Sequence, residues 1–149
     1  MSGSHNRVEV LHGVNLDTLG RRDPEIYGSF TLSQLENQIG KWAREIGLLP
    51  TFFQTNHEGE FVEYLHRLPQ LADAAVINAG AWTHYSWAIR DALEIAAVPS
   101  VEVHISDIRS RDAWRSLSVF DGLVLEQISG QGQQGYLQAL ETIKRELED

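Results

Sequence analysis

Cysteine is absent from the 149-residue chain. That excludes disulfides, thiolate metal sites and a cysteine nucleophile. Positive charge is scarce: 12 Lys and Arg stand against 21 Asp and Glu, a formal net charge of −9. Nucleic acid recognition asks for a basic face, so no nucleic acid partner is expected. A small anionic ligand stays open, because a few arginines in a cleft decide the local field. No apolar run approaches the ~20 residues that span a bilayer, so no membrane partner is expected. Residues 1–7 lack the apolar core of an export signal, and the expected compartment is the cytoplasm. Residues 1–6 read as a flexible N-terminus, and Ser2-Gly3-Ser4-His5 as partly an expression scar.

What is present suits one globular domain over residues 1–149. Hydrophobic residues make up 42% and charged residues 22%, enough apolar content for a core without covalent staples. Short apolar runs at 8–11, 51–54, 74–78, 101–104 and 122–126 read as strands. They are continuous rather than alternating, as in a parallel sheet covered on both faces. Between them lie helical patterns. Thr31 with Gln34 forms a capping box for Leu32, Leu35, Ile39, Trp42 and Ile46, and Gly47 stops that helix. Asn56 can cap a second helix carrying Phe61, Val62, Leu65 and Leu68. A third carries Ala88 to Ala96 and a fourth Leu137 to Leu147. Residues 13–29 read as a long loop punctuated by Gly13, Gly20, Pro24 and Gly28, and residues 107–116 as a polar, partly helical connection. Strands alternating with helices predict an α/β three-layer sandwich with a five-stranded parallel sheet.

Polar clusters follow the first, third and fourth strands. In such a sheet they would gather at the carboxyl edge, where ligands bind. Glu102 and His104 share one face of a strand with Ser106, since side chains alternate. The acid can fix the imidazole tautomer and raise its basicity; a buried histidine satisfied by a glutamate is the plain alternative. Arg22 precedes Tyr27 by five residues. Tyrosine is a poor base at its reference pKa of ~10, and a neighbouring guanidinium favours its phenolate. The pair is either a proton-abstracting device on a closing loop or part of a solvated surface. Asn78 and His84 flank a small-residue turn that suits either a hydroxylated ligand or simple turn chemistry. Gly130 to Tyr136 is glycine-rich but lies before the last helix, outside a first βαβ unit, and reads as a tight turn with close packing. A metal site from His84, Glu102 and His104 matches no standard chelating pattern.

Taken in order, these segments resemble the type II 3-dehydroquinate dehydratases. The family's opening pattern, Asn-Leu-x-x-Leu-Gly-x-Arg-x-Pro-x-x-Tyr-Gly, is met by residues 15–28. Gln54-Thr55-Asn56-His57-Glu58-Gly59-Glu60 and Asn78-Ala79-Gly80-Ala81-Trp82-Thr83-His84 are similar to its second and third segments. Val101-Glu102-Val103-His104-Ile105-Ser106 and Gly132-Gln133-Gln134-Gly135-Tyr136 are similar to the fourth and fifth. The resemblance implies a flavodoxin-like fold. It implies dehydration of 3-dehydroquinate to 3-dehydroshikimate by anti elimination through an enolate, with no metal or organic cofactor. Shikimate-pathway and quinate-breakdown roles share this reaction. Tyr27 would take the C2 proton, with Arg22 keeping it ionised. Asn15 would hold a water at the enolate oxygen. His104, oriented by Glu102, would protonate the leaving hydroxyl. Ile105 and Ser106 would bind the carboxylate, and Asn78, His84 and Arg115 the ring hydroxyls or carboxylate end. Asp91, two helical turns beyond His84, would reach a neighbouring subunit's site in a homo-oligomer of trimers forming a dodecamer, with Tyr85, Arg90, Trp82 and Trp87 as interface candidates.

The chain departs from that pattern at Val14, where proline is usual, at Asp17, where a neutral residue is common, at the bulky Trp82, at Leu117, and at Asp107, which replaces a common asparagine. These changes motivate an alternative: a diverged relative that binds a cyclic polyol acid without turning it over. A flavodoxin-like signalling or nucleotide-binding domain is a second alternative. It lacks support because the first strand ends in neither an acidic cluster nor a Ser/Thr-rich phosphate loop.

Overall fold

The computed structural model describes residues 5–110 and 112–149. The expectation for the N-terminus therefore lies mostly outside the described residues. Five parallel strands form one sheet: β1 (Arg7–His12), β2 (Leu49–Gln54), β3 (Ala74–Asn78), β4 (Ser100–His104) and β5 (Glu126–Ser129). Their order is β2-β1-β3-β4-β5, the flavodoxin-like doubly wound arrangement. The helices are α1 (Pro24–Tyr27), α2 (Leu32–Glu45), α3 (Glu58–Leu71), α4 (Trp87–Ala96) and α5 (Gln134–Glu148).

Each face of the sheet has its own core. Val8, Val10, Val76, Val101 and Val103 meet Leu35 and Ile39 of α2 and Leu140 and Ile143 of α5. Leu11, Ala75 and Ile77 meet Phe61, Leu65 and Leu68 of α3 and Ile89 and Leu93 of α4 on the other face. Alternation along each buried strand sends neighbouring side chains into opposite cores, which is why the strands read as unbroken apolar runs.

The capping box of α2 forms as the sequence predicts: the Gln34 amide donates to Thr31 Oγ1 at 3.1 Å, and the Thr31 amide donates to Gln34 Oε1 at 2.9 Å. Such a cap contributes about 1 kcal/mol. Three expectations are corrected. Asn56 does not cap α3; His57 holds that position without a side-chain bond, and the Asn56 amide is engaged elsewhere. Residues 122–126 are not the fifth strand. Gly122 takes a φ of 82° in a turn closed by the Leu123 amide on the Phe120 carbonyl, and Leu123 and Val124 pack against the α3/α4 core. The strand starts at Glu126, opposite Val101. The long first loop is also not featureless. It holds a 3-10 turn, Leu16–Thr18, and then α1, whose first turn is capped by Asp23 accepting from the Glu25 amide at 3.0 Å.

The carboxyl ends of β1 and β3 nearly touch. A Cβ at Gly13 would lie 2.2 Å from the Ala79 carbonyl oxygen, so no side chain fits there. The Gly13 amide donates to the Asn78 carbonyl at 2.7 Å and locks the two strand ends together. Asn15, two residues on, sits in the left-handed region at φ 71°. Asparagine tolerates that conformation better than most residues.

Candidate active site

Beyond these carboxyl ends lies a cleft with about 550 Å³ of free space, counted to its open mouth. That size suits a small organic molecule. Asn15, Arg22, Tyr27, Asn78, His84, His104, Ile105, Ser106 and Arg115 all line it, so nine of the eleven sequence-predicted residues converge. Glu102 stands directly behind His104. Asp91 is the exception. It lies on the exposed side of α4, away from this chain's own cleft.

Tyr27 ends α1, and its hydroxyl oxygen accepts from two guanidinium groups: Arg22 Nη2 at 2.8 Å and Arg115 Nη1 at 3.4 Å. The Arg22 guanidinium also lies 3.8 Å over the Tyr27 ring. Two cations on one phenol oxygen favour negative charge there. Arg115 is itself stacked on Trp114 at 4.3 Å, and its Nε stands 3.7 Å from Asp112. Arg111, from the same arginine-rich connection, lies outside the described residues.

In the same cleft, His104 Nε2 meets Glu102 Oε2 at 2.6 Å. Glu102 is fully buried, and a lone buried carboxylate would cost several kcal/mol. Here it also accepts from Thr83 Oγ1 at 2.9 Å, Ser118 Oγ at 2.9 Å and Gln127 Nε2 at 2.8 Å. Burial pushes the Glu102 carboxyl up, but the hydrogen bond and charge of His104, with the Gln127 and Ser118 bonds, outweigh it and hold the group below the usual carboxylate range. Glu102 is therefore an anion at neutral pH. Its bond to Nε2 leaves Nδ1 of His104 for the cleft.

His84 Nδ1 sits 2.7 Å from the Leu117 carbonyl. A carbonyl only accepts, so Nδ1 carries the hydrogen and Nε2 is left as an acceptor. Burial lowers the His84 pKa, the Leu117 carbonyl opposes that, and the charges of His104 and Arg115 lower it further. The ring is neutral near pH 7, a hydroxyl acceptor rather than a cation. Asn78 donates Nδ2 to Tyr136 Oη at 3.2 Å and accepts the Gly80 amide at 3.1 Å. Asn15 is held from below: its amide donates to Asn56 Oδ1 at 2.7 Å, and Asn56 Nδ2 donates to Asp17 at 3.1 Å.

Several of the departures fall away from the cleft. Asp17 is turned to Asn56 and does not line it. Trp82 is buried against Phe61, ring centroids 5.5 Å apart, so it is a core residue and not an interface candidate. At position 117 the carbonyl, which any residue supplies, holds His84. Val14 does line the cleft. The helical spacing from His84 to Asp91 also fails. His84 closes a separate 3-10 turn, Gly80–His84, and α4 begins only after Ser86, whose hydroxyl accepts the Ile89 amide. Residues 130–133 form the expected tight turn, with Gly130 at φ 77° and Gly132 at φ 58°, but Gln134 to Tyr136 already belong to α5, where a Cβ at Gly135 would stand 3.1 Å from Ile128 Cγ2.

Sequence reasoning misses Thr83, Ser118, Gln127, Tyr136 and Asn56 as supports. Only Gln127 leaves a usable signal. It is the register partner of Glu102, legible once β5 starts at Glu126.

The comparisons agree with this geometry. The family model described as dehydroquinase class II matches residues 6–144. The 3-dehydroquinate dehydratase of Thermotoga maritima is 52% identical over 143 residues, covering 96% of this chain and 98% of the relative. The type II dehydroquinase structure from Propionibacterium acnes superposes with a TM-score of 0.89 at 39% identity, covering 95% of this chain and 99% of that one. The structure from Butyrivibrio crossotus gives 0.90 at 37% identity, covering 99% and 100%. The chain belongs to the class II dehydroquinase family.

Proposed function

We propose that the chain dehydrates 3-dehydroquinate to 3-dehydroshikimate, a hydro-lyase reaction that its cleft residues perform without a metal or organic cofactor. The observation that carries the reading is one cleft lined by both a guanidinium-flanked phenol and a carboxylate-backed imidazole. In this reading the pair supplies the base and the acid that an elimination requires.

In this scheme the Tyr27 phenolate takes the C2 proton, and Arg22 and Arg115 stabilise the charged oxygen. Electrons move to the ketone oxygen, giving an enolate. A water on Asn15 donates to that oxygen. The enolate then collapses and the C1–O bond breaks. His104 delivers the Nδ1 proton to the departing hydroxyl, which leaves as water. Glu102 stabilises the imidazolium before transfer and keeps the ring oriented. Exchange with solvent returns the proton from Tyr27 and restores that on His104. The amides of Ile105 and Ser106 and the Ser106 hydroxyl bind the carboxylate. Asn78, His84 and Arg115 hold the hydroxyls and the carboxylate end.

The assembly belongs to the same proposal: trimers forming a dodecamer, with Asp91 reaching a neighbour's His84 or substrate. Its support is the apolar surface that α4 and the turn before it expose around Asp91: Tyr85 at 57%, Trp87 at 58% and Ile95 at 65%. A cytoplasmic setting and a single domain over the chain complete it; no helix among the described residues is long and apolar enough to cross a membrane.

The test is ultraviolet absorbance of the conjugated enone when purified protein meets 3-dehydroquinate. Enone formation is the expected result. Binding of 3-dehydroquinate with no enone overturns catalysis and favours the non-catalytic relative.

A further inference from the structure

Residues 117–121 hold the groups that orient the acid side of the cleft. The Leu117 carbonyl takes the His84 Nδ1 hydrogen. The Phe120 amide donates to Ser118 Oγ at 3.1 Å, which leaves that hydroxyl's own hydrogen for Glu102. The Val119 amide donates to the Thr83 carbonyl at 2.7 Å, and Thr83 Oγ1 is itself bonded to Glu102. Gln127 Nε2 bridges Asp121 Oδ1 at 2.6 Å and Glu102 Oε1 at 2.8 Å. Ser118, Val119 and Phe120 are all buried. The turn itself is gripped by a cation from α4: Arg90 Nη1 donates to the Val119 carbonyl at 2.6 Å and to the Asp121 carbonyl at 2.8 Å.

We infer that Arg90 is a positioning residue, clamping the turn 117–121 and through it fixing the Glu102 carboxylate and the His84 tautomer. The inference rests on the dehydratase reading given above. One Nη1 group carries two hydrogens and satisfies two carbonyls at once, and the planar guanidinium sets the distance between them. Removing it leaves two carbonyls of a mostly buried turn short of a donor, so the turn shifts to find water. A shift there reaches Glu102 through Ser118 and reaches His84 through Leu117. The titratable groups facing the Glu102–His104 pair are His84 from the 3-10 turn and Asp121 through Gln127, and Arg115 from residues 113–116 acts on His84. Arg90 is not among the residues that line the cleft.

The test uses the full chain with Arg90→Met, which keeps the stem and removes the donors, Arg90→Lys, which keeps the cation, and Ser118→Ala, which breaks the next link. Turnover is followed across pH beside imidazole NMR titrations of His84 and His104, with melting and light scattering as controls. Arg90→Met is expected to lower kcat by ~10- to 100-fold, the scale of a misplacement up to about 1 Å. KM should change far less, and both imidazole titrations should move. Arg90→Lys should restore part of each effect, and Ser118→Ala should move the His104 titration. Wild-type kcat and wild-type titrations in Arg90→Met overturn the clamp. So does a loss that is reversed by raising protein concentration, which assigns Arg90 to subunit contact instead. If Arg90→Met does not fold, wild-type behaviour in both other variants overturns it. An inactive wild-type protein counts against the dehydratase reading, while the titrations still decide the clamp.

Discussion

The tripeptide Val-Glu-Val occurs twice, at residues 8–10 on β1 and 101–103 on β4. In both copies the valines enter the α2/α5 core and the glutamate is buried on the other face. There the likeness stops. Among the described residues, Glu9 accepts from two hydroxyls, Tyr64 at 2.7 Å and Thr51. Burial and that bond raise the Tyr64 pKa, so its proton stays. Glu102 holds an imidazole. The next histidine decides the matter. His104 is two residues on and shares the face of Glu102. His12 is three residues on and emerges on the opposite face, 3.1 Å from Glu36 of α2. Rung matters as well. Glu9 pairs with Ala75, whereas Glu102 pairs with Ile77, two residues nearer the carboxyl edge. At ~3.3 Å per residue that is 6–7 Å closer to the cleft. One sequence element thus serves as packing in one place and, in the proposed reaction, as a proton-transfer support in the other, by parity and position alone.

Breaking the β4 copy should have the largest effect. His104→Ala removes the proposed acid and should lower kcat by ~10²- to 10⁴-fold, with a cooperative melt retained; steady-state kinetics with a melting curve checks both. Tyr27→Phe removes the acceptor with little change of shape. A loss of at least ~10²-fold in kcat with ligand binding preserved is expected, read by turnover and calorimetric titration. Breaking the β1 copy should leave catalysis alone. Glu9→Gln should keep kcat within about twofold while costing ~1–3 kcal/mol of stability, measured by denaturant unfolding. The smallest effect is on pH dependence. The unfolded chain protonates His84 at its ordinary value near 6.5, while the folded chain resists because burial lowers the value. Stability should therefore fall as pH drops below about 6.5 and be unaffected by this group above it. His84→Asn should flatten that slope. Glu102 adds a separate loss at more acidic pH, as its depressed carboxyl is protonated.

The same parity explains what was legible in the sequence. Buried parallel strands are apolar runs, helices repeat every 3.6 residues, and residues that follow strand ends must cluster, so Asn15, Asn78 and His104 announce one site. β5 deceives because it is an edge strand. Its sequence, Glu126-Gln127-Ile128-Ser129, buries only Ile128, while the more apolar residues 123–125 precede it. The supports of Glu102 and Asn78 are less visible still. Ser118, Thr83 and Gln127 reach Glu102 across 16, 19 and 25 positions, and Tyr136 reaches Asn78 across 58. No periodicity connects residues that far apart. Only the register of the folded sheet and its connections does.

The most direct measurement is the initial rate of enone absorbance from 3-dehydroquinate, taken side by side for the wild-type chain, Glu9→Gln and Glu102→Gln. The wild type should form the enone, Glu9→Gln should match it, and Glu102→Gln should be slower by at least ~10-fold, since its imidazole loses the carboxylate that stabilises the protonated ring. Equal rates in the two variants, or no enone from the wild type, would contradict the account.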